Sequence, residues 1–206
     1  MPILDISREI SEATAVWPGD TPFQARRVMS IAAGCSCNVG TVTMSLHTGT
    51  HADAPVHYLD DDVGAGEVPL EPYLGSARVV EVNPAGAISV QDLRGKYLQG
   101  AERVLLKTGT APDDKVFPLA FASLSPEAAT FLADLGVRLV GIDTPSVDSF
   151  DSKTLPTHKV LRARRVAVLE NLNLRDTEPG DYQLVALPLR LKGLDASPVR
   201  AVLIRP

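Results

Sequence analysis

A chain of 206 residues, 45% hydrophobic and 22% charged, has the size and composition of one globular domain with a substantial core. Its net charge of −5 argues against the basic face of a nucleic-acid binder, and no stretch approaches the roughly 20 apolar residues of a membrane helix. The N-terminal MPILDISREISEA carries acids early and no long apolar run, so no targeting segment is expected and the cytoplasm is the expected location.

In chain order, WPGD (17–20) is turn chemistry, which places Trp17, the one tryptophan, on a loop rather than in the core. Cys35 and Cys37 stand two apart, too close for an unstrained bridge, and no second cysteine pair exists to complete a zinc ribbon. TVTMSLH (41–47) alternates polar and apolar residues and predicts a half-buried strand. ARVVEV (77–82) predicts a strand, and Ser89 caps a candidate helix running to Leu98. RVLLKTG (103–109) is again a strand. SPEAATFLADLG (125–136) is the clearest helix, with Ser125 as cap, Pro126 and Glu127 in the first turn and Gly136 closing it. Strands follow at 138–143, 165–172, 182–191 and 197–205, with a short helix at 157–165. Several of these strands are continuous Val/Leu/Ile runs, the pattern of burial on both faces. The dense basic run Arg162, Arg164, Arg165 is expected to be a solvated face. With no repeat and no linker, the expectation is one mixed α/β domain over 1–206.

SLHTGTHADAPVH (45–57) holds three of the four histidines. A helix would put His47 and His51 on one face, but Thr48-Gly49-Thr50 between them and Pro55 after them are poor helix formers. The expected picture is a strand ending at His47, a turn over Gly49, and an extended piece from His51. His51 and Asp53, two apart, then point the same way, and the turn brings His47 back beside them. Two imidazoles and a carboxylate leave an open coordination position, as a catalytic metal site requires. Single histidines on strands are more often satisfied polar residues; three with an aspartate around a glycine turn favour metal.

His47, Gly49, Thr50, His51, Asp53, Pro55 and His57 form H-x-G-T-H-x-D-x-P-x-H, which resembles the signature of the metal-dependent cyclase-like hydrolases. The chain looks most like their bacterial kynurenine formamidase branch. VWPGDTPF (16–23), GIDTPSVD (141–148), LPTHKVL (155–161) and VLENL (168–172) extend the likeness over most of the chain; Tyr58 stands where phenylalanine is expected. The resemblance implies a swivelling β/β/α-type fold and a homodimer. It implies two Zn2+ ions per chain, other divalent metals being able to substitute. His47, His51 and Asp53 would hold one ion, and Asp53 would bridge to a second held also by His158 and Glu170. His57 would stay unligated as general acid/base. A carboxylate at Glu170 inside the apolar strand VAVLENL is costly unless paired or metal-bound, which suits this assignment, although without the resemblance an outward-facing strand residue is an equally good reading.

The implied reaction is hydrolysis of N-formyl-L-kynurenine to L-kynurenine and formate, a step of tryptophan breakdown. Zinc-bound hydroxide would attack the formyl carbon, His57 would protonate the leaving arylamine, and Trp17 would stack on the aryl ring. Two rivals stand beside it. One is another hydrolase of the same family, opening a cyclic amide such as isatin or cleaving a small aryl amide. The other is a non-enzymatic metal-binding domain, which has no use for an unligated His57.

Overall fold

The computed structural model describes residues 2–110 and 114–205. Eleven strands and three α-helices are formed by these residues. They begin with β1 (Ile3–Asp5), β2 (Gln24–Met29), β3 (Val39–Thr43), β4 (His51–Asp53) and β5 (Leu74–Glu81). The middle of the chain supplies α1 (Val90–Leu93), β6 (Arg103–Lys107), α2 (Pro126–Asp134), β7 (Leu139–Ile142), α3 (Pro156–Ala163) and β8 (Ala167–Glu170). β9 (Gly180–Val185), β10 (Ala196–Pro198) and β11 (Val202–Ile204) complete it. Nine strands form one curled mixed sheet in the order β1-β11-β9-β5-β6-β7-β8-β4-β10. Its centre, β5 to β8, is parallel; the remaining pairings are antiparallel. The fold is thus the mixed α/β domain the sequence predicts.

The apolar runs are explained by two cores, one on each face of the sheet. On the helix side Val80, Val104, Leu106, Val140, Ile142 and Val168 pack with Leu93 of α1, Leu132 of α2 and Leu161 of α3. On the opposite face Val79, Leu105, Leu139 and Leu169 pack with Ile6, Leu172, Leu184 and Leu203. Strict alternation along each strand sends neighbours to opposite faces. The same alternation decides where the polar residues go. Ala52 enters the second core, so His51 and Asp53 face the helix side. Glu170 shares its face with Val168, again the helix side.

The helices are fixed by their ends. Ser125 Oγ accepts a hydrogen bond from the Ala128 N–H at 3.1 Å, and Pro126 opens α2. Ser89 and Asp92 form a reciprocal capping box on α1. That helix is nevertheless one turn long rather than reaching Leu98, because Gly95 takes a left-handed φ of 81° and ends it.

Three other sequence expectations are corrected. Residues 41–47 do not form a half-buried strand. β3 pairs only with β2, in a separate two-stranded ribbon whose residues are all exposed, and the chain leaves the strand conformation before Met44. Residues 182–191 stop pairing at Val185, ahead of Pro188, which has no N–H for a ladder. Residues 197–205 are two strands: β10 lies on the outer edge beside β4, and β11 sits between β1 and β9 at the other end of the sheet.

Gly141 tests the packing between the central strands. A Cβ there would lie 2.5 Å from Leu105 Cδ2 and 2.7 Å from Leu172 Cδ1, both in the second core. Gly141→Ala should therefore destabilise by about 1–3 kcal/mol. The corresponding fall in Tm is roughly 3–10 °C. An unchanged Tm in calorimetry would mean the two leucines move aside freely.

Candidate metal centre

The chain reaches the centre from three directions. β4 lies antiparallel to β8 with His51 directly opposite Glu170, so an imidazole and a carboxylate are set side by side by sheet register. α3 covers this end of the sheet, and its His158 points down between them. His47 arrives on the turn before β4, where Gly49 adopts φ 66°. His51, Asp53, His158 and Glu170 are all under 5% exposed. Four ionisable side chains buried this deeply require partners.

Asp53 is the hub. Its Oδ1 lies 3.1 Å from His47 Nδ1 and 3.3 Å from His51 Nε2, while its Oδ2 lies 3.1 Å from His158 Nε2. Glu170 closes the square, with Oε2 3.4 Å from His51 Nε2 and Oε1 3.3 Å from His158 Nε2. Three groups of ligand atoms result among the described residues, each with the spread that one ion spans: the buried pair His47, His51, Asp53 and Asp53, His158, Glu170, and a more exposed group of His47, His57 and Asp195. The five residues that the resemblance assigns to metal are brought together in the two buried groups, with Asp53 common to both. Among the described residues, the buried atoms without a hydrogen-bond partner are His51 Nε2, Asp53 Oδ1 and Thr48 Oγ1. Two of the three face each other across the first group, close but not aligned for a hydrogen bond. Such orphaned donor atoms fit a cation between them.

The outer nitrogens show the same design. His51 Nδ1 donates to the Gly49 carbonyl at 2.9 Å; a carbonyl only accepts, so Nδ1 keeps its proton and Nε2 is the nitrogen left to face Asp53 and Glu170. His158 Nδ1 meets Asp148 Oδ2 at 2.7 Å, and His47 Nε2 meets Asp195 Oδ2 at 3.0 Å. Each imidazole is thus oriented from behind by an oxygen, as metal-binding histidines are. Asp148 also accepts the backbone N–H groups of Thr157 and His158, so one carboxylate caps α3 and aims its histidine. Burial opposes a positive charge on His51, but contacts to Asp53 and Glu170 outweigh it and push its pKa up to about 10. For His47, Asp195 and Asp53 overcome burial and raise it to about 9. Protons stand here where a cation would stand, and burial of Asp53 is outweighed by its three imidazoles, which hold it well below the carboxylate range.

His57 behaves differently. It sits on the short 3-10 turn Pro55–His57, outside the two groups that share Asp53 but within the third, with its ring 4.3 Å from that of His47 and its Nδ1 3.6 Å from Asp195 Oδ2. Burial lowers its pKa, with Asp53 opposing and His47 assisting. It is a neutral imidazole beside a charged cluster.

A cavity of about 450 Å³ opens onto the cluster and is lined by His47, His51, His57, His158 and Glu170. Trp17 forms another part of its wall. The indole packs against Phe117 and Phe150, both at 5.1 Å between ring centroids, and against Phe121 at 6.5 Å. Trp17 is therefore on a loop, as its turn chemistry predicts, and on the site. Sequence reading missed Asp148, Asp195, Phe117 and Phe150. Asp148 carried a weak signal, an acid within one turn-and-helix of His158; Asp195 and the phenylalanines carried none. Cys35 and Cys37 are free, and of the basic run Arg164 and Arg165 are exposed as a solvated face, whereas Arg162 is half-buried and forms a two-pronged pair with Asp62 at 2.7 Å. No helix among the described residues is long and apolar enough to cross a membrane.

Comparison with known proteins agrees with this geometry. The Cyclase family model matches residues 4–149, which include the His47–His57 segment. A structure described as a potential metal-dependent hydrolase with cyclase activity is 31% identical, with 98% of this chain and 96% of that one covered and a TM-score of 0.83. A "predicted metal-dependent hydrolase" from Bacillus stearothermophilus is 29% identical over 98% of this chain and 97% of that one, at a TM-score of 0.84. Isatin hydrolase A from Labrenzia aggregata, 22% identical over 100% and 94% of the two chains with a TM-score of 0.83, shares the fold.

Elemental analysis is the direct check on the cluster. Asp53→Ala should empty both positions, whereas His158→Ala should mainly weaken one. Asp148→Asn should keep the ligand atoms but loosen metal by about 10–100-fold, because it removes the group that aims His158. Equal and negligible metal loss in Asp53→Ala and His158→Ala would refute the shared role of Asp53.

Proposed function

The chain belongs to the Cyclase family, and on that premise we propose that it is a metal-dependent hydrolase of aryl formamides, cleaving N-formyl-L-kynurenine to L-kynurenine and formate. The observation that carries this reading is that Trp17 and Phe117 share one cavity with His57 and the two ligand groups, so an aryl ring and an amide carbonyl can be held at once. Two divalent ions, zinc in this reading, held by His47/His51/Asp53 and Asp53/His158/Glu170, would supply Lewis-acid polarisation and a nucleophile at neutral pH.

The chain's own residues do the rest. Trp17 and Phe117 hold the ring and exclude water from one side of the amide. His57, kept neutral by burial, takes a proton as water adds to the formyl carbon. It returns that proton to the arylamine nitrogen as the C–N bond breaks, since an unprotonated arylamine anion leaves poorly. Asp195, 3.6 Å from His57 Nδ1, favours the tautomer that carries its proton there and leaves Nε2 as the base.

The protein in this reading works as a homodimer. An isolated two-stranded ribbon is marginal in water, yet β2–β3 stands apart from the main sheet with Val28, Met29, Ile31, Val39 and Val42 exposed. A second copy of the chain is the partner that would cover it. Light scattering should give twice the chain mass, and Val42→Lys should shift the population toward monomer; a parent protein that is monomeric at micromolar concentration would end this part of the reading.

A panel of formylkynurenine, ring-substituted formanilides and isatin tests the reaction. Formylkynurenine should have the highest kcat/KM, and isatin turnover without formamide turnover would replace the proposal with ring opening. Trp17→Ala should raise KM with metal content intact. His57→Ala should keep its metal and lose about 10²–10⁴ in kcat, with a steeper dependence on leaving-amine pKa than the parent. An identical slope in both proteins would remove His57 from the role of proton donor.

A further inference from the structure

The cavity that opens onto the ligand cluster is also lined by an acidic residue, Asp20, that the proposed chemistry leaves unused. Trp17-Pro18-Gly19-Asp20 is a type II turn: the Asp20 N–H donates to the Trp17 carbonyl at 2.9 Å, and Gly19 takes φ 92° after a proline. The first and last residues of such a turn lie within about 7 Å at their Cα atoms. Both residues line the cavity, so the turn sets an aromatic residue and an acidic one side by side on its wall.

Asp20 is half-buried. One of its oxygens, Oδ1, accepts the Thr21 N–H at 2.7 Å, and among the described residues the carboxylate forms no ion pair. No lysine or arginine lines the cavity. Beyond the ligand cluster and His57, the polar side chains on its wall are Asp20, Ser146 and Asn171, and Ser146 Oγ is already engaged by the Asp148 N–H at 3.2 Å. A carboxylate left without an ion-pair partner on the wall of a partly aromatic cleft is a receptor for a cation.

We propose that the Trp17–Asp20 turn is a two-point reader, in which the indole takes the aryl ring and the Asp20 carboxylate takes a protonated amine on the same molecule. The inference deepens the aryl-formamide reading and rests on it for the identity of the ring. It makes Asp20 the specificity-determining residue: aryl amides bearing an ammonium group are selected over neutral and anionic ones. The amino group of N-formyl-L-kynurenine is of this kind, and its carboxylate is left to Asn171 or to solvent.

Trp17 is the single tryptophan, so its fluorescence in the metal-loaded protein reports binding without turnover. Three 2-aminophenyl ketones serve as probes, with tails ending in an amine, in a carboxylate, or in a plain propyl group. The parent should bind the amine about fivefold tighter than the propyl ligand, the scale of a partly screened ion pair. The carboxylate ligand should bind weakest. Asp20→Asn should bring the amine down to the affinity of the propyl ligand, and Asp20→Lys should make the carboxylate the best of the three. Equal binding of the amine and propyl ligands by the parent, or an amine preference that survives in Asp20→Asn, would overturn the proposal. Because no hydrolysis is needed, a protein that prefers the amine yet leaves formanilides uncleaved supports this inference and removes the formamidase reading instead.

Discussion

The short antiparallel pairing of His51–Asp53 with Val168–Glu170 is the contact on which the molecule's chemistry depends. Three residues of β4 carry two ligand side chains inward and one alanine outward, and the facing strand places its only acid opposite the first of them. A slip of one residue would exchange the faces, putting Ala52 toward α3 and two ionisable side chains into a wholly apolar core. Register, hydrophobic burial and ligand geometry therefore specify one another. The deep burial of the four charged groups is tolerable only in this register, because each meets its counter-charge there.

Around that contact, the support is arranged in layers of oxygen. Asp148, Gly49 and Asp195 each engage the outward nitrogen of one histidine. These three supports come from a loop before α3, a turn before β4 and the approach to β10. The centre is consequently tied to the chain at five separated points, and its rigidity comes from tertiary structure rather than from any one motif.

Much of the centre was legible because local rules and tertiary rules coincide there. His47, His51, Asp53 and His57 lie within eleven residues, and the glycine turn and two-residue alternation that relate them are local properties. Glu170, a carboxylate in an apolar strand, was only half legible: the strand alone allowed an outward face equally well, and the resemblance decided it. Asp195 was not, because its part in the site arises from β10 lying beside β4, and nothing in a run of three residues announces the edge of a sheet. The same reason misled the reading of 197–205. Its apolar content suits a strand, but whether one strand or two depends on which edges it visits. The alternation in 41–47 was real yet reported a ribbon rather than a half-buried strand, since alternation marks two unlike faces and not what lies against them. Phe117 and Phe150 join Trp17 from loops far apart in sequence, and loop convergence leaves no periodic trace.

The division of the C-terminal segment between opposite ends of the sheet has a consequence for how the protein comes to exist. β10 flanks the ligand-bearing strand, while β11, four residues later, lies between β1 and β9 and so pairs with the first strand of the chain. During synthesis, β4 stays an unprotected edge until residues 196–198 emerge, and β1 has no neighbour until 202–204 follow. Nucleation among the local parallel strands can run ahead, but closure joins segments about 200 residues apart and is the slow, entropically expensive step. Until then the histidines belong to an open, hydrated scaffold that holds ions loosely. The edge of the strand that carries His51 and Asp53 is therefore covered only by the last segment of the chain to be made.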